Sequence, residues 1–122
     1  MFEKHEHTTD VLLQCHEQLH EYFLGKRQQF TVSYKVAGTV FQHHVWQALT
    51  TVPYAATTSY KEIAKQIGNE KAVRAVGMAN SKNPLSIIVP CHRIIGANGK
   101  LSGYAGGVSR KEWLLHHERR NK

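Results

Sequence analysis

Ser59-Tyr60-Lys61-Glu62-Ile63-Ala64-Lys65-Gln66-Ile67-Gly68-Asn69-Glu70-Lys71-Ala72-Val73-Arg74-Ala75-Val76-Gly77-Met78-Ala79-Asn80-Ser81-Lys82-Asn83-Pro84 is the stretch on which the fold turns. Ser59 and Glu62 have the spacing of a capping box, in which two side chains satisfy free amide groups at a helix start. Ile63, Ala64 and Ile67 then share one apolar face. Gly68-Asn69 makes a turn, and a second helix is expected from Glu70 through Ala79, until Asn83-Pro84 breaks it. Two short helices across a glycine turn form a helix-turn-helix, although an ordinary packed helix pair has the same pattern. Reading base edges needs arginine, asparagine or glutamine side chains. In the second helix Ala72, Ala75, Gly77 and Ala79 are small, and Lys71 and Arg74 are the only basic residues. A helix this bare suits close backbone approach to DNA; Arg74 on its own fits a plain phosphate contact.

Downstream, the apolar run Leu85-Ser86-Ile87-Ile88-Val89 reads as a buried strand-like segment leading into Pro90-Cys91-His92-Arg93. Only the thiolate of a cysteine attacks efficiently, and a neighbouring base makes it available near neutral pH. The pair also fits an inert core cysteine beside a surface histidine. Ile94 to Leu101 suits a hairpin around Ala97-Asn98-Gly99. Five glycines between Gly96 and Gly107 suit a tight loop or close approach to a ligand. A final helix is expected from Ser109 to near Glu118, with Trp113, Leu114 and His117 on its inner side.

Upstream, Thr8 to Leu24 reads as an amphipathic helix with Leu12, Cys15, Leu19, Tyr22 and Phe23 on one stripe. Thr9 or Asp10 would cap it and Gly25 would stop it. Phe30 to Val36 alternates as a short strand ended by Gly38. Phe41 to Leu49 is helical again, burying Phe41, Val45, Trp46 and Leu49, and Pro53 closes it.

At 122 residues the chain suits one hydrophobic core without metal or disulfide staples. Two cysteines, Cys15 and Cys91, make no disulfide framework and suit a reducing cytoplasm. No apolar stretch approaches the roughly 20 residues of a membrane helix, and the polar start Met1 to His7 lacks a signal peptide's apolar region. A net charge of +7 favours a polyanionic partner, most simply nucleic acid. Part of that charge, Arg119, Arg120 and Lys122, is expected in a solvated terminal tail.

Together these segments resemble the C-terminal domain of the O6-alkylguanine-DNA alkyltransferases, the methylated-DNA–protein-cysteine methyltransferases. The resemblance rests on Val52-Pro53-Tyr54, Thr58-Ser59-Tyr60, Arg74-Ala75-Val76-Gly77, Asn83-Pro84, Ile88-Val89-Pro90-Cys91-His92-Arg93, Gly103-Tyr104-Ala105-Gly106-Gly107, and Lys111-Glu112-Trp113-Leu114-Leu115 through Glu118. Gln18 to Gly25 and Gly38 to Gln42 also match the approach to that domain.

The resemblance implies a mostly α fold with a small β element: a winged-helix-like helix-turn-helix alkyltransferase domain at residues 39–122. A truncated α/β segment, residues 1–38, would be the remnant of an N-terminal domain. It implies DNA repair by stoichiometric transfer of an alkyl group from O6-alkylguanine in double-stranded DNA. The damaged base would be flipped through the minor groove, and the protein would act as a monomer without cofactor or metal. Cys91 would be the nucleophile, His92 the base acting through a water, and Glu118 the partner that fixes the His92 tautomer. Tyr60 would assist departure of O6, and Asn83 would brace the helix-turn-helix against the active-site turn. Arg74 would hold the gap left by the extruded base, with Lys71, Ala72, Ala75 and Gly77 lining the DNA approach. Tyr104, Ala105 and Ile94 would form the substrate pocket.

Two features depart from the pattern. Only about forty residues precede the domain, so a lone strand there would leave edges that call for a partner chain or a rearranged N-terminus. Ala55-Ala56 stands where family members often have Gly-Glu, which bears on the geometry of that loop. His16-Glu17-Gln18-Leu19-His20 fits a zinc-hydrolase pattern but has no third ligand. Among rival functions, a non-enzymatic lesion sensor would carry tryptophan in place of Cys91, and a sequence-specific regulator would need a better equipped recognition helix.

Overall fold

The computed structural model describes residues 2–32, 35–96 and 107–122, with side chains from residue 10 onward. In chain order the elements are α1 (Phe2–Phe23), α2 (Val40–Leu49), β1 (Thr58–Ser59), α3 (Tyr60–Gln66), α4 (Val73–Ser81), a 3-10 turn (Cys91–Arg93), β2 (Ile94–Ile95) and α5 (Val108–Arg120). Among the described residues the architecture is mostly helical with one two-stranded sheet, as the resemblance implies.

Local chemistry sets each boundary. Ser59 Oγ accepts from the Glu62 amide at 3.1 Å and starts α3, a contact whose loss costs about 1 kcal/mol. The complete, reciprocal box lies elsewhere, at α2: Thr39 Oγ1 accepts from Gln42 N at 3.1 Å and Gln42 Oε1 accepts from Thr39 N at 2.9 Å. Gly68 takes the left-handed conformation after α3, at φ 81°. The turn then runs on to Ala72, whose amide bonds Asn69 O. Helix α4 therefore starts at Val73, three residues later than the pattern suggested.

Helices α2, α3 and α4 pack around Val45, Leu49, Ile63, Ala64, Val76 and Ala79, with Val89, Cys91 and Ile94 in the same core. Removing a buried aliphatic side chain here would cost about 2–5 kcal/mol. Trp46 Nε1 donates to Ala79 O at 2.9 Å, tying α2 to α4. Strands β1 and β2 pair in parallel, Thr58 with Ile94 and Ser59 with Ile95. Because β1 runs directly into α3 and β2 directly leaves the 3-10 turn, this short ladder sets Tyr60 relative to Cys91.

The structure corrects several expectations. The described part of segment 30–36 is not a strand. Gln18 clamps it instead: its Oε1 accepts from Thr31 N at 3.0 Å and its Nε2 donates to Thr31 Oγ1 at 2.8 Å. Residues 85–89 form a loop, not a strand, because Val89 N turns back to Leu85 O and Ile87 adopts φ 78°. Ile94-Ile95 pairs in parallel with β1, and the rest of the expected hairpin, residues 97–101, lies outside the described residues. On α1 it is Gln18 and Tyr22 that are buried, whereas Leu12 and Phe23 are exposed. Trp113 is exposed too, stacked on His117 with centroids 4.9 Å apart; the inner face of α5 is Lys111, Leu114, Leu115, His117 and Glu118.

Candidate active site

Asn83, just beyond α4, organises the loop that delivers the cysteine. Its Oδ1 accepts from Leu85 N at 3.0 Å and its Nδ2 donates to Val89 O at 2.8 Å. The one amide thus closes both ends of segment 85–89. It also hydrogen-bonds the Cys91 sulfur, as does Ser86. Cys91 opens the 3-10 turn and is 1% exposed. Burial pushes its thiol up, while the bonds from Asn83 and Ser86, its own amide and the charge of Lys111 pull it down without reversing the shift. At neutral pH the resting group is therefore a thiol, and something must take its proton.

His92, the next residue, is fully buried. Burial pushes its imidazolium down and the nearby charges of Arg93 and Lys111 add to this, against the pull of Glu118. The ring is accordingly neutral at pH 7. Its Nε2 lies 2.6 Å from Glu118 Oε2. Burial alone would raise the Glu118 carboxyl, but hydrogen bonds from His92, Arg93 and Tyr22 hold it down at about 2. An ionised carboxylate only accepts, so Nε2 must carry the hydrogen and Nδ1 must present its lone pair. Nδ1 is buried and has no protein partner among the described residues. A neutral base with an unused lone pair thus adjoins a thiol that needs one.

Glu118 sits on α5 with no exposed surface. Arg93 grips it side-on, Nε to Oε1 at 2.9 Å and Nη2 to Oε2 at 3.0 Å, and donates Nη1 to Val52 O at 2.8 Å. The guanidinium also lies over the Tyr54 ring, 5.6 Å from its centroid. The Ala55 amide donates to Oε1 at 3.1 Å, and Tyr22 OH donates to Oε2 at 2.7 Å. Seven residues earlier on α5, Lys111 is also fully buried. Burial pushes its ammonium down and the Cys91 sulfur pulls it back up.

Tyr60, the first residue of α3, is half-buried in a cleft of about 490 Å³ that Val73, Ile95 and Gly96 also line. Lys71 and Ala72 lie in the turn before α4, exposed and half-exposed, while on α4 itself Arg74 and Ala75 are exposed and Gly77 half-exposed. A methyl group added at Gly77 would lie 3.7 Å from the Tyr60 ring. Ile94 is fully buried in β2, and Tyr104 and Ala105 lie outside the described residues. His16 and His20 are exposed, and no cluster among the described residues could hold a metal ion. The structure thus brings Cys91, His92, Glu118 and Asn83 together, with Tyr60 and Arg74 on the helix-turn-helix. Sequence reasoning had assigned no role to Tyr22, Ala55, Ser86, Arg93 or Lys111; for Arg93 and Lys111 the available signal was a charge inside an otherwise apolar pattern.

The chain is similar to known proteins in sequence and in shape. Residues 40–120 match the family model of the 6-O-methylguanine DNA methyltransferase DNA-binding domain. A methylated-DNA–protein-cysteine methyltransferase of Mycolicibacterium paratuberculosis is 55% identical over 105 residues, 86% of this chain and 64% of the relative. The Mycobacterium tuberculosis protein crystallised in complex with DNA superposes with a TM-score of 0.85 at 54% identity, over 88% of this chain and 65% of that one. Schizosaccharomyces pombe Atl1, in complex with damaged DNA containing O6-carboxymethylguanine, gives 0.60 at 30% identity, over 69% of this chain and 80% of that one. The chain spans a little under two thirds of the length of the first of these relatives. Among the described residues no helix is long and apolar enough to cross a membrane. With residues 40–120 matched by the family model and a relative 55% identical over 86% of it, the chain belongs to the 6-O-methylguanine DNA methyltransferase family.

Proposed function

We propose that this chain repairs O6-alkylguanine in double-stranded DNA by moving the alkyl group irreversibly onto Cys91. The observation that carries the reading is the orphaned Nδ1 of a neutral, buried His92 whose other nitrogen is bonded to Glu118. That arrangement is a base in waiting, beside a thiol that burial keeps protonated.

His92 Nδ1 takes the Cys91 proton, through a water because adjacent side chains do not face one another. The sulfur then attacks the O6-alkyl carbon in line: the S–C bond forms as the C–O6 bond breaks, and the electron pair leaves with guanine. Tyr60 supplies a hydrogen bond or proton to the departing oxygen. Glu118 carries the imidazolium that forms, and Lys111 and Asn83 steady the thiolate. The thioether offers no thiol-exchange route back, so one chain repairs one lesion, without cofactor.

A sulfur that is 1% exposed cannot be reached by a base still stacked in a duplex. The guanine must leave the helix at a cost of a few kcal/mol, less when it pairs poorly. Arg74 fills the gap from exposed α4, whose small residues allow approach through the minor groove. Residues 39–122 are the catalytic domain of a monomer, and residues 1–38 lend it α1. Two free cysteines suit the reducing cytoplasm.

Intact mass after incubation with duplex O6-methylguanine DNA should show one methyl retained per chain, and none in Cys91→Ser. Transfer that persists in Cys91→Ser would refute the assignment, and tight binding with no added mass would make the chain a lesion sensor.

A further inference from the structure

Tyr22 belongs to α1, outside the residues that match the family model. It is fully buried, ringed by Phe23, Phe30, Tyr54 and His117 at centroid distances of 5.4, 5.7, 6.1 and 5.2 Å. Two bonds lock it to α5. His117 Nε2 meets its carbonyl at 2.7 Å, and its hydroxyl donates to Glu118 Oε2 at 2.7 Å. That oxygen is the one His92 Nε2 contacts at 2.6 Å. Burial, then Glu118, pushes the phenol far up, so the hydroxyl remains a donor at every pH the protein meets.

We propose that Tyr22 is a positioning residue for alkyl transfer: by sharing Glu118 Oε2 with His92, its hydroxyl sets how firmly the carboxylate holds the imidazole and so how readily His92 takes the Cys91 proton. The inference rests on the transfer reading above. Among the described residues, the other charged or titratable groups around the Glu118–His92 pair are Arg93 from the 3-10 turn, Tyr54 from the loop after α2, and Lys111 and His117 from α5. Tyr22 is the donor that can be deleted without changing formal charge or shape. Without it, Oε2 turns its full basicity to His92 and Arg93, and the imidazolium persists to higher pH. A stronger phenolic donor does the opposite.

The test is the single-turnover rate of methyl transfer from duplex DNA as a function of pH, on the full chain, with folding followed by circular dichroism. Tyr22→Phe should be about tenfold slower at neutral pH, the scale on which residues orienting a buried histidine act elsewhere. Its rising acid limb should be displaced to higher pH. A difluorinated tyrosine at position 22, a more acidic phenol of nearly the same shape, should move the limb to lower pH. A folded Tyr22→Phe with an unmoved limb and normal rate would overturn the proposal. If Tyr22→Phe does not fold, the fluorinated protein decides alone, since an unmoved limb there overturns it equally. Failure of the unsubstituted chain to transfer methyl would instead refute the transfer reading, and this inference with it.

Discussion

Ala55 holds a backbone conformation that a side chain resists. Its φ is 65°, and in that left-handed state its amide reaches Glu118 Oε1. An L-residue with a Cβ is disfavoured there by about 1–2 kcal/mol, partly offset by glycine's greater freedom in the unfolded chain. Ala55→Gly should therefore raise thermal stability by about 0.5–1 kcal/mol with transfer intact, whereas Ala55→Pro, which removes the donor and forbids positive φ, should lower both. A glycine variant that melts earlier would contradict the strain. Glu118 makes a second prediction. Its carboxyl is held down at about 2 against an ordinary 4.5. Its stabilisation is therefore complete above about pH 4.5 and is lost as pH falls toward 2. The lowered His92 adds acid sensitivity of the same sign, beginning below its ordinary 6.5. Glu118→Gln strands a buried guanidinium, so it should cost about 3–5 kcal/mol at neutral pH and flatten the urea-melt dependence on pH below 4.5. An unchanged acid profile would refute that assignment. At this scale the sequence was legible where function and register coincide: Cys91, His92, Asn83 and Glu118 stand at recognisable spacings. Tyr22 was not, because its partner is 96 residues away and nothing local distinguishes a buried donor from a core aromatic.

Elements were legible where side chains satisfy their own backbone. Helices α2 and α3, capped by Thr39 and Ser59, fall close to their expected spans, and so does α5, which has no side-chain cap and shows only its periodicity. Segments 30–36 and 85–89 were not, because side-chain amides outside them, Gln18 on α1 and Asn83 just upstream, hold their described parts out of strands that their composition favours. Helix α4 yields the clearest tests. Gly77 lies mid-helix, and the space beside Tyr60 admits a methyl in ordinary contact. Gly77→Ala should therefore stabilise the fold by up to about 1 kcal/mol, and a loss on denaturant unfolding would contradict the contact geometry. Arg74→Ala removes an exposed side chain, so it should leave stability within about 0.5 kcal/mol. It should slow repair of duplex DNA far more than reaction with free O6-benzylguanine, which needs no extrusion. Equal losses on both substrates would count against a role in holding the base out.

At the scale of the whole molecule, charge and topology divide the work. The excess of sixteen lysines and arginines over nine acids supplies sequence-independent attraction to phosphate. DNA affinity should fall steeply and linearly with salt on logarithmic axes, with little preference for sequence; strong preference for one site would favour a regulator. The domain-level resemblance was legible because its motifs occur in one order over residues 52–118. What α1 contributes was legible only as a helix: among its described side chains the buried ones are Gln18 and Tyr22, which hydrogen-bond across the fold rather than make an apolar stripe. The most direct test of the whole scheme is a titration with duplex DNA carrying an isotope-labelled O6-methyl group, followed by peptide mapping. Label should rise to one methyl per chain and stop, all of it in the peptide containing Cys91. Continued turnover beyond one equivalent, or label on Cys15 or any other residue, would contradict the account.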